Sequence, residues 1–152
     1  MDGLSVALPG DFDGTELDFW IGTWDVTWAG AGGAGTNRIG RILGDRVIHE
    51  RFEGADADST LHGESWSVFD AERHLWRQTW VDDQGAYLDL VGEPAEGCFA
   101  FVRAAPERGP GARQRMVFRD LSADAFRWTW ESSPDDGATW IVRWEIAYRR
   151  AG

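Results

Sequence analysis

The chain has 152 residues, 43% of them hydrophobic, which is typical of one domain with a single core, and we expect residues 1–152 to form that domain. Its formal net charge of -11 would repel a phosphate backbone, so nucleic acid is not an expected partner. The first residues have no basic segment followed by an apolar run, and no later stretch is long enough to span a membrane. We therefore expect no signal peptide, no membrane contact and a cytoplasmic location.

Tryptophan is the unusual component, because ten Trp residues exceed what a core of this size needs for volume. Most of them form pairs spaced by two or four residues, a spacing that puts both members on one face of a β-strand. These pairs are Trp24 and Trp28, Trp76 and Trp80, Trp128 and Trp130, and Trp140 and Trp144. The pattern predicts an aromatic face on several strands.

In chain order, the first predicted element is a short helix at residues 15–21. Thr15 and Asp18 match a capping pattern, and Leu17, Trp20 and Ile21 would share one helical face. We expect this helix to close one end of the fold.

After this helix, apolar and polar residues alternate almost to the end of the chain, with short turns rich in Asp, Gly and Pro. So many strands do not fit comfortably in one flat sheet, and closing the sheet removes its exposed edges. The pattern therefore predicts an all-β fold, a closed antiparallel up-and-down barrel of about ten strands. The predicted strands are residues 23–29, 36–43, 46–53, 61–69, 74–82, 86–93, 97–104, 113–120, 124–133 and 138–150.

Two motifs that suggest enzymes elsewhere are better interpreted as turns. "SPDDGATW", from Ser133 to Trp140, matches the Asp-box of sialidases, but one copy is too few for a sialidase propeller. Asp135 and Gly137 instead suit a hairpin, as an acceptor of backbone N–H groups and a residue with positive φ. "GAGGAG", Gly30–Gly35, matches a dinucleotide-binding pattern, yet the residues after it predict a strand rather than a helix. We expect a hairpin loop there.

A family resemblance follows from the G-x-W that begins at Gly22 together with the phrases "GTNRI", "GESWSVFD", "WRQTWVDDQG", "FRWTWESSPDDGATW" and "YRR". From about Leu17 to Arg150 the chain resembles a bacterial family of lipocalin-like proteins, of the calycin superfamily, whose function is unassigned. The resemblance implies a lipocalin-like barrel. It also implies that the Trp of the G-x-W, Trp24, lies beneath a basic side chain, either Arg149 or Arg150.

Glu50 is the candidate acid or base. If Trp24 faces inward, alternation on the third strand puts Glu50 and Phe52 inside and His49 outside. A carboxylate among aromatic rings would have a raised pKa, which suits general acid or base catalysis, with Gln78 or Tyr148 as a hydrogen-bond donor. The alternative is a structural role for Glu50, paired with an inward Arg115 or with Gln78.

The candidate ligand-binding residues are the other inward aromatic and hydroxyl side chains of the barrel. Rings this wide would not interdigitate fully, so we expect a cavity whose aromatic wall is interrupted by a few polar groups. The alternative is that the rings fill the interior. These residues are Trp28, Phe52, Ser65, Ser67, Trp76, Trp80, Trp128, Trp130 and Trp144.

No metal or cofactor is expected. His49, His62 and His74 have no ligand spacing. The strand count resembles that of nitrobindin-type haem carriers, which bind the iron through a His near the chain end, but this chain has no His after His74. Cys98 is the single cysteine, and we interpret it as a small apolar strand residue.

Three functions are compatible with these features. The first is binding of a small, largely apolar or aromatic metabolite in a Trp-lined cavity. The second is a cofactor-independent cyclase or isomerase that uses Glu50, and the third is a carbohydrate-binding module, which would need its Trp residues on an outer face. The sequence is also compatible with a homodimer.

Overall fold

The structure is a computed structural model that describes residues 11–30, 32–95 and 98–152. The expected absence of a signal peptide concerns residues outside these ranges. Within them, no helix has the length and apolar character needed to cross a membrane. The strands are β1 (Gly22–Trp28), β2 (Gly33–Ile42), β3 (Val47–Ala55), β4 (Thr60–Asp70), β5 (Leu75–Asp82), β6 (Tyr87–Ala95), β7 (Cys98–Ala104), β8 (Arg113–Arg119), β9 (Ala125–Ser133) and β10 (Ile141–Arg150).

The ten strands form one closed sheet. Each strand pairs antiparallel with the next strand in the chain, and β1 also pairs with β10. At this closing seam, Trp24 lies opposite Arg150 and Thr27 lies opposite Ala147. The predicted all-β, closed antiparallel barrel is therefore confirmed, and each of the ten described strands has a neighbour on both sides.

Alternation along the strands sorts side chains between the interior and the outer surface. On β3, Ile48, Glu50 and Phe52 are buried, whereas His49 and Arg51 alternate with them on the outer face. The predicted orientation of this strand is confirmed. Since a slip of one residue would reverse every side chain of the strand, the position of Glu50 depends on this register.

One end of the barrel is filled by the segment that precedes β1. Phe12, Leu17 and Trp20 are buried there. Phe19 packs edge-on against Phe118, with 5.4 Å between the ring centroids. We call this the closed end, and it is also where the loops β2–β3, β4–β5 and β8–β9 lie.

The helix predicted at residues 15–21 is not found, and a single 3-10 turn, Asp18–Trp20, takes its place. The Thr15 hydroxyl, which would cap such a helix, instead donates a hydrogen bond of 2.6 Å to the side chain of Asp13. Seven residues are too few to sustain a helix without tertiary contacts. Here those contacts favour a turn that buries Trp20 in the barrel end.

Arg150 joins the closing seam to this end. Its guanidinium lies 4.2 Å from the centroid of the Trp24 ring and donates a hydrogen bond of 2.9 Å to the Ile21 carbonyl. Gly22 has a φ of +138°, and a Cβ there would collide with the same guanidinium. The expected basic side chain over Trp24 is therefore Arg150 rather than Arg149, and the contact explains the glycine of the G-x-W.

The Asp-box forms the hairpin between β9 and β10, as predicted. Asp135 Oδ1 accepts hydrogen bonds from the Thr139 backbone N–H at 2.9 Å and from Ser133 Oγ at 2.8 Å. Gly137 has the positive φ, +87°, that the turn requires. The motif is a structural device of this hairpin.

Candidate functional site

A cavity of about 430 Å³ occupies the half of the barrel away from the closed end. It opens beside the β5–β6 and β7–β8 loops, which contribute Ala86 and Arg108 to its lining. The other lining residues are Glu50, Phe52, Leu61, Trp80, Asp82, Tyr87, Leu88, Arg103, Glu107, Gln114, Met116, Trp128, Trp130, Trp144, Ile146 and Tyr148. Most of the wall is thus aromatic or aliphatic, while charged groups gather at the mouth and at the inner end.

The cavity stays open because large rings lie against glycines of neighbouring strands. A Cβ at Gly63 on β4 would overlap the indole of Trp80 on β5. The same indole is fixed by a hydrogen bond of 2.8 Å from its Nε1 to Asp82 Oδ2. Further round the wall, Trp128 and Trp144 meet edge-on with 5.7 Å between ring centroids. The rings are therefore held along the wall rather than across the interior.

Glycines also lie against the ring of Trp28, which is outside the cavity lining. A Cβ at Gly33 or at Gly54 would overlap the Trp28 indole. β2 begins at Gly33, earlier than the predicted start at residue 36, and no helix follows it. Gly30 and Gly32 lie between β1 and β2, and Gly33 and Gly35 belong to β2, so these four glycines are part of a hairpin, as predicted.

Glu50 forms the polar inner end of the cavity and is 6% exposed. Ser65 Oγ donates a hydrogen bond of 2.6 Å to its Oε1. The Asn37 Nδ2 amide donates to Glu50 Oε2 at 2.7 Å and to Tyr148 Oη at 2.8 Å. Each carboxyl oxygen therefore has a neutral donor, one on β2 and one on β4, the two strands that flank β3.

The pKa values of the two titratable groups at this inner end are both raised. Burial raises the pKa of Glu50, and the hydrogen bonds from Ser65 and Asn37 and the neighbouring His49 offset it only in part. Burial also raises the pKa of Tyr148 well above its ordinary value, and the charge of Glu50 adds to the effect. Tyr148 thus stays a neutral hydroxyl, and Glu50 is the group that can exchange a proton.

The structural partners proposed for Glu50 from the sequence are wrong. Arg115 faces outward, where its guanidinium bonds Glu131 at 2.8 Å and lies 4.1 Å from the Trp140 ring centroid. Gln78 Nε2 donates to Ser67 Oγ at 2.9 Å, nearer the closed end. Neither side chain contacts the carboxyl, because β8 is turned outward at Arg115 and Gln78 lies closer to the closed end than Ser65 does.

The predicted site residues divide between cavity and packed interior. In the lining are Glu50, Phe52, Trp80, Trp128, Trp130, Trp144 and Tyr148. Outside it are Trp28, Ser65, Ser67, Trp76 and Gln78. Trp76 is 2% exposed and donates its Nε1 hydrogen to Glu16 at 2.9 Å, as part of the closed end. The interior is therefore filled at one end and open at the other.

Sequence reasoning missed several residues of the site, of which Asn37 is the most important. Asn37 alternates inward with Ile39 on β2, so the period of the strand could have revealed it. Arg103 could have been found in the same way from its spacing to Phe101; at the mouth it bonds Glu107 and Gln114. The aliphatic members Leu61, Leu88, Met116 and Ile146 carry no distinguishing signal.

The histidines do not form a metal site. Across the described ranges, no group of three or more His, Cys, Asp or Glu side chains could hold a metal ion. His49 lies outside the barrel, stacked on Trp66 with 5.2 Å between ring centroids, and its Nε2 is 2.6 Å from Glu64 Oε1. Cys98 is the first residue of β7, and its side chain lies outside the described structure.

Fold and cavity together define a closed ten-stranded antiparallel β-barrel with an aromatic interior. No family model matches the chain, and no curated protein matches it. Among solved structures it is similar to a de novo designed fluorescence-activating β-barrel, at 15% sequence identity and a TM-score of 0.48, over 90% of this chain and 98% of that chain. Function must therefore be inferred from the side chains around the cavity.

Proposed function

We propose that the protein binds a small, largely apolar or aromatic molecule in the Trp-lined cavity. The observation that carries the proposal is the open space of about 430 Å³ bounded by the indoles of Trp80, Trp128, Trp130 and Trp144. A concave, mostly apolar site with a few directed polar groups is the usual make-up of a small-molecule site. The G-x-W contact with Arg150 supports a lipocalin-like barrel as its scaffold.

Titration with the uncharged dye N-phenyl-1-naphthylamine, whose emission rises in apolar surroundings, tests this proposal. The wild type should bind the dye, and Trp80→Ala should weaken binding about fivefold or more, because one aromatic wall is lost. Trp66→Ala is the matched control, since that indole lies on the outer face against His49. A wild type that does not bind the dye, or equal weakening by both variants, would contradict the proposal.

An enzymatic function is the second candidate, and the specific observation in its favour is the buried Glu50 with its raised pKa beside the Tyr148 hydroxyl. In a cofactor-independent cyclase or isomerase, Glu50 would transfer a proton and Tyr148 would donate a hydrogen bond to the substrate. For each compound that binds, product formation and deuterium uptake from heavy water are measured by mass spectrometry. Glu50→Gln should then retain binding and lose turnover, whereas a pure binding protein shows no turnover in the wild type.

A carbohydrate-binding module has less support. Trp66 and Trp140 lie on the outer face, and each is engaged by a neighbouring side chain, His49 and Arg115 respectively. An outer platform of free indoles, which that function would need, is therefore not present among the described residues.

A further inference from the structure

We propose that the ligand of this cavity is an organic cation: a protonated amine on an apolar or aromatic skeleton, whose ammonium group contacts Glu50. This inference rests on the proposed binding function and specifies the ligand class. It depends on three features of the cavity, namely a carboxyl without a cationic partner, free acceptor positions on that carboxyl, and walls made of indoles.

The first feature is clearest from a comparison with Glu131, which is the other almost fully buried acidic side chain among the described residues. Glu131 is 1% exposed and forms ion pairs with Arg115 at 2.8 Å and Arg119 at 2.7 Å. Within the described residues, Glu50 forms no ion pair, and its partners Ser65 and Asn37 are neutral. A buried carboxylate without a counter-charge is unfavourable. A cationic ligand would supply that charge.

The second feature is the unused hydrogen-bonding capacity at the inner end of the cavity. A carboxylate has about four acceptor positions, and the protein occupies one on each oxygen of Glu50. Because the Asn37 amide donates to both Glu50 and Tyr148, it holds the carboxyl and the hydroxyl as neighbours. The remaining acceptor positions of the carboxyl suit the several N–H donors of an ammonium group.

The third feature is the aromatic wall. A cation positioned over the face of an indole is attracted by the ring quadrupole, more strongly when it is desolvated. Trp80, Trp128 and Trp144 line the same cavity as Glu50, so a ligand bound there would lie among their indoles. The net charge of -11 also favours the approach of cations over anions.

The charged groups at the mouth are nearly balanced. The Arg103 guanidinium is bonded to the Glu107 carboxylate at 2.9 Å, and Asp82 is the next acidic lining residue. Arg108 is the remaining cation in the lining and is exposed to solvent. The charged groups at the mouth therefore favour neither cationic nor anionic ligands strongly. Glu50 determines which ligand charge the interior of the cavity prefers.

Displacement of N-phenyl-1-naphthylamine by three matched compounds tests the inference at neutral pH. They are 4-phenylbutylamine, a cation; 4-phenylbutan-1-ol, neutral; and 4-phenylbutyrate, an anion. The wild type should bind the amine at least about tenfold more tightly than the alcohol, because a hydrogen bond to a charged group stabilises a complex by at least that factor. It should bind the anion most weakly, because the Glu50 carboxylate repels it. Glu50→Gln should remove the preference for the amine, measured as the ratio of the amine and alcohol affinities within the same variant.

Glu64→Gln is the control variant, because it removes the same charge from the outer face of the adjacent strand. It should retain the full preference for the amine. Dye binding without a preference for the amine, or a preference that survives Glu50→Gln, overturns this inference and leaves the proposed binding function standing. Tightest binding of the anion also overturns it, since the arginines at the mouth would then set the preference. Failure of the dye to bind contradicts the proposed function itself.

Discussion

Glu50 and Glu131 are two buried carboxyls whose pKa values shift in opposite directions. Burial dominates at Glu50 and raises its pKa. At Glu131 burial acts in the same direction, but hydrogen bonds from Arg119, Thr129 and Arg115 together outweigh it and lower the pKa. The difference arises from the neighbours, neutral donors inside the barrel and guanidinium groups on its outer face. The two residues should therefore have opposite effects on stability as the pH changes.

Glu50→Gln should make the protein less sensitive to rising pH. The folded-state pKa of Glu50 lies above its ordinary value of 4.5, so the folded state binds the proton more tightly than the unfolded state. The stability that this provides is present at low pH and is lost as the pH rises through the folded-state pKa. The free energy of unfolding is measured with urea at a series of pH values from acid to neutral. As the pH rises, the value for the variant should increase relative to the value for the wild type. Parallel curves for the two proteins would contradict a raised pKa, and Glu64→Gln serves as the control.

Glu131→Gln should show the opposite pH dependence. Because its folded-state pKa is lowered, Glu131 stabilises the protein above the ordinary value of 4.5, and this stability is lost as the pH falls through the folded-state pKa. At neutral pH the variant should unfold with a free energy about 2 kcal/mol smaller, since charged hydrogen bonds to Arg115 and Arg119 are weakened. The deficit should shrink in acid. A deficit that is the same at all pH values would show that packing, not charge, is lost.

At the scale of the strands, glycines determine where the large rings can lie. Gly63 and Gly54, on the two strands β4 and β3, each lie beneath an indole on a neighbouring or nearby strand. A strand glycine normally weakens a sheet because it adds backbone freedom and has no side chain to pack. Here Gly63 provides space for Trp80, and Gly54 provides space for Trp28. The contact between each ring and the strand backbone offsets the lower strand propensity of glycine.

Gly63→Ala should destabilise the protein by about 1–3 kcal/mol, the usual cost of adding a methyl group to a packed position. The new Cβ would displace the Trp80 ring toward the cavity, so dye binding should weaken as well. Gly40→Ala is the matched control, because Gly40 lies on β2 with no atom near its Cβ position. Thermal unfolding and dye titration measure both effects. Equal behaviour of the two variants would contradict the proposed contact.

Asp135→Ala should lower the free energy of unfolding by about 1 kcal/mol and leave dye binding unchanged. The side chain holds the β9–β10 hairpin through Thr139 and Ser133 and is not part of the cavity lining. Asp135→Asn keeps one acceptor oxygen and should recover part of the loss. A variant that loses affinity at unchanged stability would show that the hairpin takes part in binding.

At the scale of the whole molecule, the barrel depends on a contact between its first and last strands. The β1–β10 seam joins residues at opposite ends of the sequence, such as Val26 and Tyr148. Arg150 adds contacts to Trp24 and to the carbonyl of Ile21 in the segment that fills the closed end. Such non-local pairing forms late and slowly, so we expect folding in the range of about milliseconds to seconds.

Arg150→Ala should lower the free energy of unfolding by about 2 kcal/mol, because charged hydrogen bonds and a cation–π contact are lost together. Arg149→Ala is the control, since the adjacent side chain points outward and is exposed. Urea unfolding followed by tryptophan fluorescence and by circular dichroism should give coincident transitions for both variants. Two separate transitions in Arg150→Ala would show that the closed end unfolds independently of the barrel.

The sequence by itself determined the features that depend on short-range pattern. Strict alternation marked the strands and the inward orientation of Glu50, and turn residues such as Asp135 and Gly137 marked the hairpins. Strand number then implied closure, because an open sheet of this size would leave edges unpaired. These features follow from the two-residue period of a strand and from local backbone preferences, both of which are visible along the chain.

Only the tertiary structure decided how the interior is divided and which groups meet there. Trp76 and Trp80 share one face of β5 and have the same sequence signal, yet the first fills the closed end and the second lines the cavity. The partners of Glu50 are likewise on other strands, and Asn37 reaches it because β2 and β3 pair in one particular register. The physical reason is that alternation reports only the face of the sheet on which a side chain lies. The height of a residue along the barrel axis depends instead on the pairing and stagger of all ten strands at once, and so do its neighbours on other strands.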